Sequence, residues 1–118
     1  MPEVRIDCYL GVLKKFKKEF PNAYFEYVNN RNILAPSREL KIEAGVEKKK
    51  DGTKNPKMLF DEYSIKYIEE INNNPKALKR LKELSIILRF TDIFLICYEV
   101  NPLECHRSII KKILDKDN

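Results

Sequence analysis

The chain is poor in the residues and patterns that most readily disclose a function. Its three cysteines, Cys8, Cys97 and Cys105, are an odd number and too few for a disulfide framework. In a reducing compartment they stand as free thiols, with a Cys97–Cys105 bridge as the alternative. There is one histidine. No apolar run approaches the ~20 residues of a membrane-spanning helix, so no membrane partner is expected. The opening segment MPEVRIDCYL lacks the basic stretch followed by a long apolar stretch of a secretory signal, which gives the cytoplasm as the expected location. Neither a Walker sequence nor a Gly-x-Gly-x-x-Gly is present, which removes the two common glycine-rich phosphate loops. The Cys-x-x-x-x-x-Arg loop of cysteine phosphatases is absent too: Cys97 and Arg107 are too far apart, Cys105 and Arg107 too close.

What is present describes a globular protein. A chain of 118 residues suits one domain, here residues 1–118, and can bury a core without covalent staples. Hydrophobic residues make up 43% and charged residues 35%, a mixture unlike that of disordered chains. The net charge of +5 permits nucleic-acid or anionic-ligand binding. It is equally what lysines solvating helix faces would give.

Periodicity lays out an α/β pattern. Val4 to Leu10 is rich in β-formers and predicts a first strand. Leu13, Phe16 and Phe20 recur at helical spacing among lysines and predict an amphipathic helix over Val12–Phe20. Ala23–Val28 reads as a second strand, so strand, helix and strand suggest a βαβ unit with parallel strands. Ser37 as N-cap and Gly45 as C-terminal stop frame a short helix over Arg38–Ala44. Val46–Lys57 has almost nothing to bury and predicts an exposed, mobile loop. Leu59, Tyr63, Tyr67, Ile68 and Ile71 predict another helix. Asn74 caps the next, with Pro75 at its first position, and Leu78, Leu81, Leu84 and Leu88 are its apolar face. Ile93–Tyr98 is continuously apolar, as a central strand covered on both faces should be. Asn101, Pro102 and Glu104 carry the cap, first-position and capping-box signals of a last helix. The expected fold is a small α/β domain, a mostly parallel sheet of three or more strands flanked by helices.

The segment from Ile93 to Leu114 concentrates the reactive side chains. On a helical wheel at about 100° per residue, His106 falls within the apolar arc of Leu103, Ile109, Ile110, Ile113 and Leu114. Cys105 and Arg107 fall on its edges. The only histidine thus points inward, at the start of a helix that follows a buried strand, where open α/β sheets usually bind ligands. The helix start favours an anion, and Arg107 can supply a planar fork for phosphate or carboxylate. Cys97 and Glu99, two apart in an extended strand, share a face. Cys97, Glu99, Cys105, His106 and Arg107 can then converge. The structural alternative is a core histidine bonded to backbone, a buried cysteine acting as a small apolar group, and Arg107 paired with Glu99 or Glu104. The ligand types for zinc are present, yet their spacing matches no common zinc arrangement, and adjacent Cys and His rarely chelate one ion easily. No metal and no cofactor are expected.

The stretch FLICYEVNPLECHRSIIKKIL resembles the C-terminal signature of the domain-of-unknown-function family 488: an apolar strand ending in Cys, an acidic residue, a Pro, then Cys-His-Arg opening a helix. Cys97, Glu99, Pro102, Cys105, His106 and Arg107 all match. LAPSREL, Leu34 to Leu40, resembles that family's Ala-Pro-Ser segment, and the helix with Tyr63 and Tyr67 sits where the family usually has a Tyr-bearing helix. The short N-terminus is similar to a shorter, archaeal-type branch. The resemblance implies an α/β domain with a shared pocket.

Two functional classes follow. In the first, a small phosphate- or carboxylate-bearing ligand binds at the Cys-His-Arg helix start, with Ser37 and Arg38 adding donors and with Arg107, Cys97 and Glu99 in the binding site. Cys105 is then the candidate nucleophile and His106 the candidate acid or base. In the second, the protein is a nucleic-acid-binding or protein-interaction module that uses the basic loop 46–57, with Lys48, Lys49, Lys50, Lys54 and Lys57.

Overall fold

The computed structural model describes residues 1–98 and 105–116. Four consecutive residues, Ile93 to Ile96, are each 0% exposed and form the middle strand of a parallel three-stranded sheet. In chain order the elements are β1 (Val4–Arg5), a 3-10 turn (Leu10–Val12), α1 (Leu13–Glu19), β2 (Tyr24–Tyr27), α2 (Arg38–Glu43), α3 (Phe60–Asn72), α4 (Pro75–Ile87), β3 (Ile93–Ile96) and α5 (His106–Lys116). The sheet order is β1-β3-β2. Val4 and Tyr24 flank Ile93 from either side, and the β2 ladder runs on to Tyr27 opposite Ile96. The first two strands are parallel, as the strand-helix-strand pattern predicts, but they are held apart by the last strand to be made.

Alternation along β3 divides the core in two. Phe94 and Ile96 point toward α1. There Phe94 meets Phe16, Phe20 and Phe25 with ring centroids 5.5, 5.1 and 5.1 Å away. Ile93, Leu95 and Cys97 point to the opposite face, where α3, α4 and α5 pack. Burial of each of these side chains contributes about 1.5–3 kcal/mol, which is why an uninterrupted apolar run is needed at this position.

The helix starts follow their cap signals. Asn74 accepts from the backbone N–H of Lys76 at 3.1 Å with Pro75 behind it, and the Ser37 hydroxyl accepts from Leu40 N–H at 3.0 Å. The apolar faces follow those expected apart from Leu59, Ile68 and Leu78, which are exposed. Leu78 is 44% exposed and Leu59 77%, while Ala77, Leu81, Leu84 and Leu88 carry the buried face of α4 and Tyr67 and Ile71 that of α3.

The first strand is shorter than its composition suggests. The chain leaves the ladder after Arg5 and pairs again at Tyr9, which bridges Cys97 just past the end of β3. Between them the carbonyls of Ile6 and Cys8 accept hydrogen bonds from Arg107 instead. The loop after α2 is exposed at Lys48–Lys50 but anchored at its base. Asn55 Nδ2 donates to the Ile42 carbonyl at 2.9 Å, and Met58 N–H to the Ala44 carbonyl at 3.0 Å. Among the described residues, no helix is long and apolar enough to cross a membrane.

Candidate functional site

The site lies beyond the carboxyl ends of β2 and β3. Cys97 follows the last residue of β3 and keeps the outward alternation that aims it at α3 and α5. Cys105 immediately precedes α5, and its carbonyl accepts from the backbone and hydroxyl of Ser108 at 3.0 and 2.9 Å. His106 is the first residue of that helix. The capping residues expected at Asn101–Glu104, and Glu99, lie outside the described residues.

The ligating atoms of Cys97, Cys105 and His106 lie within 4.8 Å of one another, all buried. His106 Nδ1 is 3.5 Å from Cys105 Sγ. The other ring nitrogen, Nε2, is hydrogen-bonded to the carbonyl of Val28, just past β2. A carbonyl only accepts, so Nε2 carries the proton, and in the neutral ring Nδ1 is left as the lone pair facing the sulfur. Burial pushes the His106 pKa down and keeps the ring neutral. The edge of the imidazole packs against Tyr67, 5.6 Å between centroids, and Tyr67 is itself fixed by a 2.5 Å hydrogen bond to the Leu34 carbonyl. The inward histidine of the helical wheel is therefore bonded to backbone on one side and open to a thiol on the other.

Cys105 differs from Cys8 in its ionisation. A hydrogen bond from Cys97, assisted by the backbone and side chain of Arg107 and by its charge, overcomes burial and draws the Cys105 pKa down to about 6. Burial does the reverse at Cys8, on the other face of the sheet. Arg107 is 0% exposed, and its Nη1 donates to the carbonyls of Ile6 at 3.0 Å and Cys8 at 2.8 Å. The expected fork for an outside anion is thus turned into the protein, where it ties α5 to the segment after β1 and presents its charge to Cys105.

A pocket of about 470 Å³ opens above the cluster. Cys97, Cys105 and His106 line its inner end; Met58, Phe60 and Tyr63 supply an apolar wall, and Lys41 and Lys57 supply positive charge. Tyr63 stacks between Phe60 and Tyr67, at 6.2 Å from each, and burial raises its pKa. Sequence reasoning had no signal for Lys41, Met58 or Phe60; the helix bearing Tyr63 and Tyr67 was expected from its apolar spacing and again from the family resemblance, neither of which placed it at the pocket.

Ser37 and Arg38 lie elsewhere. They border a larger, shallow depression of about 1540 Å³, whose lining includes no cysteine or histidine. The donors expected there for a ligand already hold a carboxylate of the protein: Ser37 N–H donates to Glu70 Oε1 at 2.9 Å, and the Ser37 hydroxyl donates to Glu70 Oε2. The Arg38 side chain is largely exposed, 3.8 Å from Glu47.

The architecture is thus an α/β parallel-sheet protein with a buried Cys-Cys-His cluster under a pocket at the strand ends. A family model described as the active DUF488-N3 subclade matches residues 7–118, and the chain belongs to this family. No curated protein and no solved structure matches it.

Proposed function

We propose that the protein binds a small molecule bearing a phosphate or carboxylate group in the pocket above Cys105, and that the Cys105 thiolate is its reactive group. The observation that carries this reading is the pocket itself, which joins a cysteine-histidine pair at its inner end to two lysines on its wall. Its volume falls within the ~300–1,000 Å³ usual for small-ligand sites. Cys105 has what a reactive thiol needs: a guanidinium charge beside it, a helix start behind it and access to a cavity. His106 Nδ1, 3.5 Å away, is placed to take or return a proton. Lys41 and Lys57 replace Arg107 as the groups that meet the ligand's anion. Arg107 acts as a positioning residue for Cys105. The description of the family as an active subclade supports a site that does chemistry.

The test is cysteine alkylation by iodoacetamide on fully reduced, chelator-treated protein, read by peptide mass spectrometry. Cys105 should react at least tenfold faster than Cys8. A panel of phosphorylated and carboxylated metabolites should contain members that slow this reaction, and Lys41→Ala should abolish the protection. A Cys105 no faster than Cys8, or a rate that no anion in the panel alters, overturns the proposal.

A further inference from the structure

The same three side chains have the composition and spacing of a different kind of site. We infer that Cys97, Cys105 and His106 form a binding site for one thiophilic divalent cation of the zinc type, with a fourth coordination position open to the pocket.

The donor set comes first. Two sulfurs and one imidazole nitrogen suit a borderline-soft d¹⁰ ion and suit magnesium or calcium poorly. Cys₂His with one exchangeable position is a known tetrahedral zinc arrangement. Distances come next. Zn–S bonds of about 2.3 Å and Zn–N bonds of about 2.0–2.1 Å give a tetrahedral S···N edge of about 3.5 Å and an S···S edge of about 3.8 Å. The Cys105 Sγ to His106 Nδ1 distance is 3.5 Å. Every other pair lies within 4.8 Å, so closing the shell takes contractions of at most about 1 Å for the two sulfurs and about 1.3 Å for Cys97 and His106, within reach of side-chain rotations. The adjacency of Cys105 and His106 looks like an obstacle in the sequence. It is resolved because Cys105 sits just outside the helix while His106 is its first residue, so the two side chains need not diverge by a helical step.

The surroundings supply the rest. Metal-bound histidines usually donate their second ring nitrogen to a carbonyl or carboxylate, which fixes the tautomer and orients the ring. Val28 provides that carbonyl, and Tyr67 braces the ring from its side. Two thiolates and a divalent cation sum to zero charge, which a buried site tolerates better than two bare thiolates. All three residues also line the pocket, so among the described residues the remaining coordination position is open to the cavity. This inference goes beyond the thiol reading. A cation held by Cys105 withdraws that sulfur from attack, so metal occupancy would switch the thiol chemistry off.

The experiment uses the full chain, reduced and freed of metal, titrated with Co²⁺ alone and then with Zn²⁺ alone. One equivalent of Co²⁺ should produce the visible ligand-field bands of four-coordinate cobalt together with near-ultraviolet thiolate-to-cobalt charge transfer, and Zn²⁺ should displace it. Cys97→Ser and Cys105→Ser should each cut the charge-transfer intensity and weaken binding more than tenfold. His106→Gln should weaken binding at least tenfold while keeping the charge-transfer bands, and Cys8→Ser should change neither. Thiocyanate should shift the visible bands if the fourth position is open. X-ray absorption at the zinc edge of the wild-type protein needs no variant and should show two sulfur neighbours. Absence of charge transfer in reduced wild type, full binding in Cys97→Ser and Cys105→Ser, or a zinc shell of oxygen and nitrogen alone each overturn the inference. Alkylation of metal-free protein tests the thiol reading separately, so either can fail alone.

Discussion

Arg107 Nη1 donates to the carbonyl of Cys8 across a sequence separation of 99 residues, at 2.8 Å and wholly inside the protein. With the parallel bond to Ile6, this fastens the first turn of α5 to the chain that has just left β1. A buried guanidinium is cut off from water, so its N–H groups and the carbonyls that accept from them depend on each other for their hydrogen bonds. Arg107→Met should destabilise the fold by about 2–5 kcal/mol, since it strands the buried Cys8 carbonyl and the half-buried carbonyl of Ile6. It should also slow Cys105 alkylation at neutral pH by removing the positive charge beside the sulfur. Urea denaturation measures the first effect and peptide mass spectrometry the second. A loss under about 0.5 kcal/mol would mean that the tether contributes nothing beyond an ordinary surface residue.

The stability of the metal-free protein should fall as pH is lowered, in two arms with separable causes. Cys105 has a folded-state pKa drawn down to about 6, while in the unfolded chain a thiol titrates near about 8.5. The unfolded state therefore binds more protons between these values. The thiolate's contribution is complete above the upper value and is lost as pH falls through about 6. His106 is held below its ordinary value by burial, so the unfolded state again binds more protons just below about 6.5. Its neutral form is accommodated without penalty above that pH, and stability declines as pH falls from there toward the folded-state pKa. Cys105→Ser should flatten the upper arm and His106→Gln the lower one, in denaturation curves taken at half-unit intervals of pH. Unchanged curves in both variants would refute the assignment.

Tyr67 links the site to the Leu34 segment through one hydrogen bond, from its hydroxyl to the Leu34 carbonyl. Both groups are buried, and neither has water to fall back on. Tyr67→Phe keeps the ring against His106 but leaves the carbonyl unmet, and should cost about 1–3 kcal/mol. Because the ring remains, alkylation of Cys105 should change by less than about threefold, a shift worth under about 0.7 kcal/mol. A larger change in reactivity would assign the hydroxyl a direct part in the pocket.

Much of this arrangement was legible in the sequence, and the remainder has a physical reason for being hidden. Ile93–Tyr98 could be placed at the sheet centre because only a strand covered on both faces stays apolar at every position, although the strand itself stops at Ile96. Asn74-Pro75 and Ser37 marked helix starts because caps are local. The burial of His106 followed from the helical wheel, whereas Arg107 was placed on the edge of the arc and its full burial was not foreseen; the partner of neither was legible. Val28 is 78 residues from His106, and Ile6 is 101 from Arg107. Glu70 takes the Ser37 hydrogen bonds that were expected to serve a ligand, and it lies 33 residues further on. Local spacing fixes which way a side chain points and says nothing of what meets it. The pocket wall was invisible for a related reason: Lys57 was assigned with the basic loop to a nucleic-acid surface, Lys41 carried no signal, and only the return of the loop after α2 brings Lys57 to the pocket that the cysteines line.

That return depends on Gly45, which gives the sharpest contrast between two glycines. Both Gly45 and Gly52 have positive φ, +77° and +85°, a region costing an L side chain about 1–2 kcal/mol. At Gly52 a β-carbon would meet nothing within 4 Å. At Gly45 it would stand 2.6 Å from the Asn55 carbonyl oxygen and 2.7 Å from that of Pro56, both rigid backbone atoms of the returning strand of the loop. Gly52→Ala should therefore cost only the backbone term, about 1–2 kcal/mol, and leave the pocket intact. Gly45→Ala adds an overpacking term and should cost about 2–5 kcal/mol in all. The added methyl also pushes Asn55 and Pro56 away from α2, loosening the bonds at Ile42 and Ala44 that hold Met58 and Lys57 against the pocket. Anion protection of Cys105 should then weaken in Gly45→Ala and persist in Gly52→Ala. Urea denaturation and the alkylation assay on the two variants read both effects. Equal losses of stability at the two positions, or protection retained in a destabilised Gly45→Ala, would show that the loop base does not shape the site.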